Sequence, residues 1–176
     1  MPPPLKPGAT PAKGGAGKVV VPEAVIEVAV AAPVIDALPP AAESEASRGR
    51  FVFDDGSIYE GDFLFTRANG LKKRHGQGRF MGKHFSYEGG WGDDTFHGMG
   101  NFISADGASF VGGFDAGAFH GPGGKYKFTD GASYEGGWFR NLMHGPGHYV
   151  TPDGVLFAGD FHLGLYVRGK SHVAVR

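Results

Sequence analysis

The sequence contains no cysteine, which excludes disulfides and thiolate chemistry. It also lacks an excess of charge of either sign. The net charge is −1, so no broad basic field draws nucleic acid. Long hydrophobic runs are missing as well. The most apolar stretch, Val19 to Leu38, is broken by Pro22, Glu23, Glu27, Pro33 and Asp36. A span needs about 20 mostly apolar residues, so this stretch does not qualify. Nothing resembling a secretory leader follows Met1-Pro2-Pro3-Pro4-Leu5-Lys6-Pro7. A cytoplasmic chain is the expectation.

Aromatic residues are absent before Phe51, and nine of the twelve prolines fall within residues 1–48. A segment without rings and with many prolines builds neither a core nor a ladder. Residues 1–48 are therefore expected to form a disordered tail rich in Ala, Pro and Val. One piece of it, Val25-Ile26-Glu27-Val28-Ala29-Val30, alternates as an extended segment does. It suits addition to a sheet edge or docking on a partner. The composition shift places the domain boundary near Ser47 to Gly49, with a domain over 49–170 and a short tail over 171–176.

What the domain has in excess is glycine and aromatic residues, 32 Gly and 23 Phe, Trp and Tyr in the chain, without a collagen-like period. It is also repetitive. Tyr59-Glu60-Gly61-Asp62-Phe63 recurs as Tyr87-Glu88-Gly89-Gly90-Trp91, Phe110-Val111-Gly112-Gly113-Phe114, Tyr134-Glu135-Gly136-Gly137-Trp138 and Phe157-Ala158-Gly159-Asp160-Phe161. The first aromatics are 28, 23, 24 and 23 residues apart. A His-Gly-x-Gly step keeps pace at His75, His97, His120 and His144, and an Asp-Gly pair at Asp55, Asp106, Asp130 and Asp153. Such self-similarity marks a repeat architecture.

Each unit predicts two short antiparallel strands. In Tyr134-Glu135-Gly136-Gly137-Trp138, Tyr134, Gly136 and Trp138 share one face, and Glu135 and Gly137 the other. Asp-Gly favours a two-residue hairpin turn with positive φ at both positions. The second turn of each unit falls at Asn69-Gly70, Asp93-Asp94, Ala116-Gly117 and Arg140-Asn141. Glycine between two rings leaves room for a neighbour's ring over the backbone. Five units imply about ten strands and, at about 4.8 Å per strand, a sheet roughly 45 Å long.

These motifs resemble the MORN (membrane occupation and recognition nexus) repeat, and the resemblance covers about residues 51–169. It implies an all-β fold, an elongated, twisted, single-layer antiparallel sheet of about five hairpin repeats. It also implies a non-enzymatic scaffold that binds proteins, in a cilium or flagellum axoneme or another cytoskeletal assembly. This sequence departs from the pattern in three places. Six extra residues separate Phe63 from His75, Phe110-Val111 replaces Tyr-Glu, and the last unit ends in Leu165-Tyr166-Val167-Arg168-Gly169 without its His-Gly-x-Gly step.

Candidate chemistry is sparse. One His per repeat makes a ladder with a step of about 9–10 Å, whereas zinc needs three or four converging ligands. Each His is expected to pack or hydrogen-bond at the start of its strand, facing a repeat Glu. Asp54-Asp55 and Asp93-Asp94 sit at turns, where Asp is favoured locally. No Gly-x-Gly step opens a helix, as a nucleotide loop would. No enzyme, cofactor or metal site is expected. Two candidate contact surfaces remain. The aromatic row Tyr59, Phe63, Tyr87, Trp91, Phe110, Phe114, Tyr134, Trp138, Phe157 and Phe161 offers a protein-binding groove, with Trp91 and Trp138 showing an edge to a partner. Arg67, Lys72, Lys73 and Arg74 in the insertion suit an acidic protein surface or, alternatively, anionic phospholipid. Base stacking is disfavoured, because residues 49–170 hold 12 Lys and Arg against 13 Asp and Glu. Oligomeric state stays open.

Overall fold

The computed structural model describes residues 44–67 and 69–173. The expected tail before Ser44, with its Val25–Val30 segment, and residues 174–176 lie outside the described residues. Twelve strands form one open antiparallel sheet: β1 (Ser44–Val52), β2 (Ile58–Thr66), β3 (Leu71–Met81), β4 (Phe85–Gly92), β5 (Thr95–Ser104), β6 (Ser109–Asp115), β7 (Ala118–Phe119), β8 (Gly121–Lys127), β9 (Ser133–Phe139), β10 (Leu142–Val150), β11 (Val155–His162) and β12 (Leu165–Val173). Strand order follows the chain, with two-residue β7 pairing β6 off the main path. Every connection is therefore a hairpin between neighbours, as the repeat pattern predicts.

The domain limits differ from those read off composition. β1 starts at Ser44, inside the stretch assigned to the tail, and β12 reaches Val173. Pairing decides strand ends here. Ser44 lies opposite Thr66 at the far end of the inserted hairpin, and Val173 opposite Val155. The strand count exceeds ten because β1 precedes the first Tyr-Glu-Gly element and His120 separates β7 from β8.

The two turn edges exchange the expected roles. The two-residue turns with positive φ at both positions are Asp93-Asp94 (51°, 64°), Ala116-Gly117 (44°, 82°), Arg140-Asn141 (47°, 69°) and Leu163-Gly164 (46°, 87°). At the Asp-Gly pairs only the glycine is left-handed, for example Gly107 at 93°. There, Ser104 N–H donates to Ala108 O and Gly107 N–H to Ser104 O, a longer loop closed by a glycine. The reason is the Asp carboxylate, which accepts the N–H two residues on. Asp55 takes Ser57 N–H at 2.9 Å and Asp130 takes Ala132 N–H at 3.1 Å. Hydrogen bonds from Ser57 and Ser104 hold the Asp55 and Asp106 carboxyls below the usual range.

The His-Gly-x-Gly step is a bulge. Opposite β4, Trp91 pairs with Phe96 and Gly89 with Gly100, so His97, Gly98 and Met99 together oppose Gly90. The same shift lies between Met143 and Gly147 on β10. Gly98 and Gly145 both have φ 74°, the left-handed conformation that turns the chain back into register.

Rings cover one face. Tyr59, Tyr87, Phe110 and Tyr134 are fully buried, and Phe102, Phe119, Tyr126, Phe128 and Tyr149 fill the space between them. Each repeat Tyr lies over a pair of glycines facing across two strands. A Cβ on Gly89 would stand 2.5 Å from Gly100 Cα and 2.8 Å from Tyr87 Oη. The phenols bridge back to their own strand, Tyr87 Oη donating to Gly90 O at 2.8 Å and Tyr134 Oη to Gly137 O at 3.0 Å. Burial pushes the Tyr59 and Tyr134 phenols up to about 12 and raises Tyr87, Tyr126 and Tyr149 as well.

An alkaline transition follows from those phenols. The native state holds these protons more tightly than the unfolded chain, whose phenols ionise near 10. Their contribution is complete below about pH 10 and is lost as pH rises from about 10 toward about 12. In a base titration followed by tyrosinate absorbance and circular dichroism together, the buried phenols should ionise only as the fold is lost. Ionisation of all six tyrosines near pH 10 with the sheet intact would contradict the burial.

Candidate functional site

The aromatic row expected to form a groove is the core instead. Trp91 and Trp138 are 4% and 3% exposed, and Tyr59, Tyr87, Phe110, Phe114, Tyr134 and Phe161 are equally closed. Trp138 meets the rings of Phe110, Phe119, Tyr126 and Tyr134, with centroids 5.2–5.9 Å apart. Its Nε1–H donates to Gly124 O at 3.1 Å, as Trp91 Nε1–H does to Gly78 O. The Trp edges expected to face a partner are thus turned inward, because the next repeat's backbone accepts the indole N–H. Only Phe63 and Phe157 of the row are half-buried, near its two ends.

The basic insertion lengthens the β2–β3 hairpin in regular register, from Phe63 opposite Arg74 to Thr66 opposite Leu71. Its charges are largely matched within the protein. Arg67 pairs with Glu45, and Lys73 Nζ lies 2.7 Å from Asp93 Oδ1. Arg74 Nε lies 3.1 Å from Asp94 Oδ1, and the guanidinium stands 4.3 Å from the Trp91 ring centre. Lys72 Nζ lies over Phe51 and Phe63 at 5.3 and 5.7 Å. The Asp93-Asp94 turn thus stitches the insertion to the next repeat. Asp94 N–H also donates to Arg74 O, and Asp94 Oδ1 accepts Arg74 N–H. The same reach-back recurs where Asn141 N–H donates to Phe119 O and Asn141 Oδ1 accepts Phe119 N–H.

The histidines serve chiefly through their backbone. A Cβ on Gly90, Gly113 or Gly137 would collide with the carbonyl oxygen of His97, His120 or His144. That contact explains the second glycine of the repeat. The side chains do not face the repeat Glu. His97 Nδ1 lies 3.6 Å from Asp115 Oδ1, His120 and His144 pack against Phe139, and the His144 and His162 rings are 5.1 Å apart. Among the described residues no group of three or more His, Asp or Glu is arranged to hold a metal, and no helix is long and apolar enough to cross a membrane.

The opposite face carries side chains that the motif pattern left unassigned. One row runs straight across the sheet as Arg50, Glu60, Arg79, Glu88, Asn101, Val111, Lys125, Glu135, His148, Ala158 and Lys170. Lys125 Nζ meets Glu135 Oε1 at 3.0 Å. In the middle, on β5 and β6, the row turns apolar. Met99 is 69% exposed, Val111 50% and Ile103 44%. Val111 faces Asn101 directly, so Met99 and Ile103 flank it diagonally. The sequence signal was the departure at Phe110-Val111, where valine stands in place of the Glu of the other repeats.

An open sheet of hairpins, each closing its ring face against the next, defines a β-hairpin repeat protein. The MORN repeat family model matches residues 87–109 and 134–155, and the chain is a MORN-repeat protein. Repeats of this kind occur in protein-binding and membrane-associated proteins and are generally non-enzymatic modules. No curated protein matches the chain.

Proposed function

We propose that this protein is a non-enzymatic scaffold that holds protein partners against the outer face of its repeat sheet. The supporting observation is the exposed apolar cluster of Met99, Ile103 and Val111 at the centre of an otherwise charged face. Partner interfaces favour an apolar centre within a polar rim, and Met is enriched in them. Glu88, Asn101, Lys125 and Glu135 supply that rim. Following the family resemblance, the setting is a cytoskeletal assembly such as a ciliary or flagellar axoneme. The membrane alternative has weaker support, because Arg67, Lys73 and Arg74 already have carboxylate partners.

Full-length protein carrying Met99→Glu and Val111→Glu should keep its melting temperature within a few degrees, as exposed positions do. It should lose the partners that the unmodified chain captures by cross-linking in native extract. An unchanged partner set would reject the outer-face reading. Flotation with anionic vesicles separates the alternative. Salt-sensitive binding abolished by Lys72→Glu with Lys73→Glu would favour the membrane over the scaffold.

A further inference from the structure

β1 pairs with β2 along one side, and among the described residues its other edge is open. An uncovered edge is a template for another strand. The ring face is incomplete at this same edge. Phe51 and Phe63 are half-buried where the inner repeats bury their rings fully, and Phe53 is exposed. A cleft of about 480 Å³ lies there, lined by Phe51, Val52, Phe53, Phe63 and Lys72.

We propose that residues 25–30 of this chain add to the open edge of β1 as a further antiparallel strand, with Glu27 opposite Arg50. The alternation on both sides selects this register. On β1, Ser47, Gly49 and Phe51 lie opposite Phe63, Gly61 and Tyr59 and so belong to the ring face, while Arg48 and Arg50 lie on the outer face. In Val25-Ile26-Glu27-Val28-Ala29-Val30, the apolar residues Ile26, Val28 and Val30 alternate with a single carboxylate. With Glu27 against Arg50, Ile26 falls opposite Phe51, Val28 opposite Gly49 and Val30 opposite Ser47. Ile26, Val28 and Val30 then cover the open end of the ring column. Val28 stands over a glycine whose own Cβ would be 3.1 Å from the Phe63 ring and which therefore has no side chain there. A slip of one residue would put Glu27 on the ring face, between Phe51 and Phe63.

The connection permits it. Residues 31–43 link the segment to β1 and span at most about 45 Å when extended, more than a reversal of direction requires. Pro33, Pro39 and Pro40 keep that link from competing for the edge, since proline cannot complete a ladder. The added strand closes β1 against pairing with other chains.

The cysteine-free chain makes the test specific. In full-length protein, Ala29→Cys with Arg48→Cys places two thiols on directly opposed residues. Their Cα separation of about 4.5–5.5 Å lies within the disulfide range. Mild oxidation should give an intramolecular disulfide in most molecules, while Ala12→Cys with Arg48→Cys should not. In the unmodified full-length chain, amides of residues 25–30 should exchange with deuterium roughly 10-fold slower or more than those of residues 12–18. Val28→Asp should erase that difference and leave the protection of β4 to β10 unchanged. Equal exchange across both segments would overturn the assignment. So would a disulfide that forms only between chains, which would mean that the edge takes a strand from another molecule.

Discussion

Trp138→Ala should destabilise the protein by about 3–5 kcal/mol, the range for removing a large buried ring. Trp138 touches four rings drawn from three repeats, Phe110, Phe119, Tyr126 and Tyr134. Deleting it opens a cavity at a junction between repeats and leaves Gly124 O without the indole N–H. In a repeat protein the interface between neighbours carries much of the stability. The loss should therefore uncouple β9 to β12 from the preceding strands. Urea unfolding should show a lower midpoint and a broader or two-step transition. Trp138→Phe keeps the ring contacts and removes the hydrogen bond, so it should lose only about 1 kcal/mol. A Trp138→Ala protein as stable as the parent, lacking only its partners, would restore the groove expected from sequence.

Gly100→Ala should be comparably severe for the opposite reason. A Cβ there would stand 2.5 Å from Tyr87 Oη and 2.6 Å from its ring. Tyr87 cannot withdraw easily, because it stacks on Phe96 at 3.9 Å and meets Trp91 and Phe114 edge-on. Overpacking of this kind costs typically 1–3 kcal/mol, and the crowded ring places this site at or above about 3 kcal/mol. Two residues away, Gly98 has φ 74° and open space around it. Gly98→Ala pays only the left-handed backbone penalty, about 1–2 kcal/mol. Paired denaturation curves of the two variants would separate ring crowding from backbone strain. Equal losses would reject the crowding account.

These substitutions show where sequence reasoning was sufficient. The positions of Tyr87, Gly89 and Trp91 on one strand, and the second turns at Asp93-Asp94 and Arg140-Asn141, follow from spacing and residue type. Both are local properties. The bulge at His97-Gly98-Met99 did not follow, since a count of residues against the opposite strand requires the pairing itself. Nor did the neutralised insertion. Lys73 and Arg74 meet Asp93 and Asp94 across 20 residues of chain, and no local pattern announces that contact.

By itself the sequence determined the repeat, the all-β hairpin architecture and the ring positions, because a strand's alternation and a turn's φ are written in adjacent residues. Tertiary structure alone decided that the rings are sealed, that Trp91 and Trp138 point inward, and that Met99, Ile103 and Val111 are left facing out. Those outcomes depend on what the neighbouring repeat places against each face, and burial is a property of the stack rather than of any single unit.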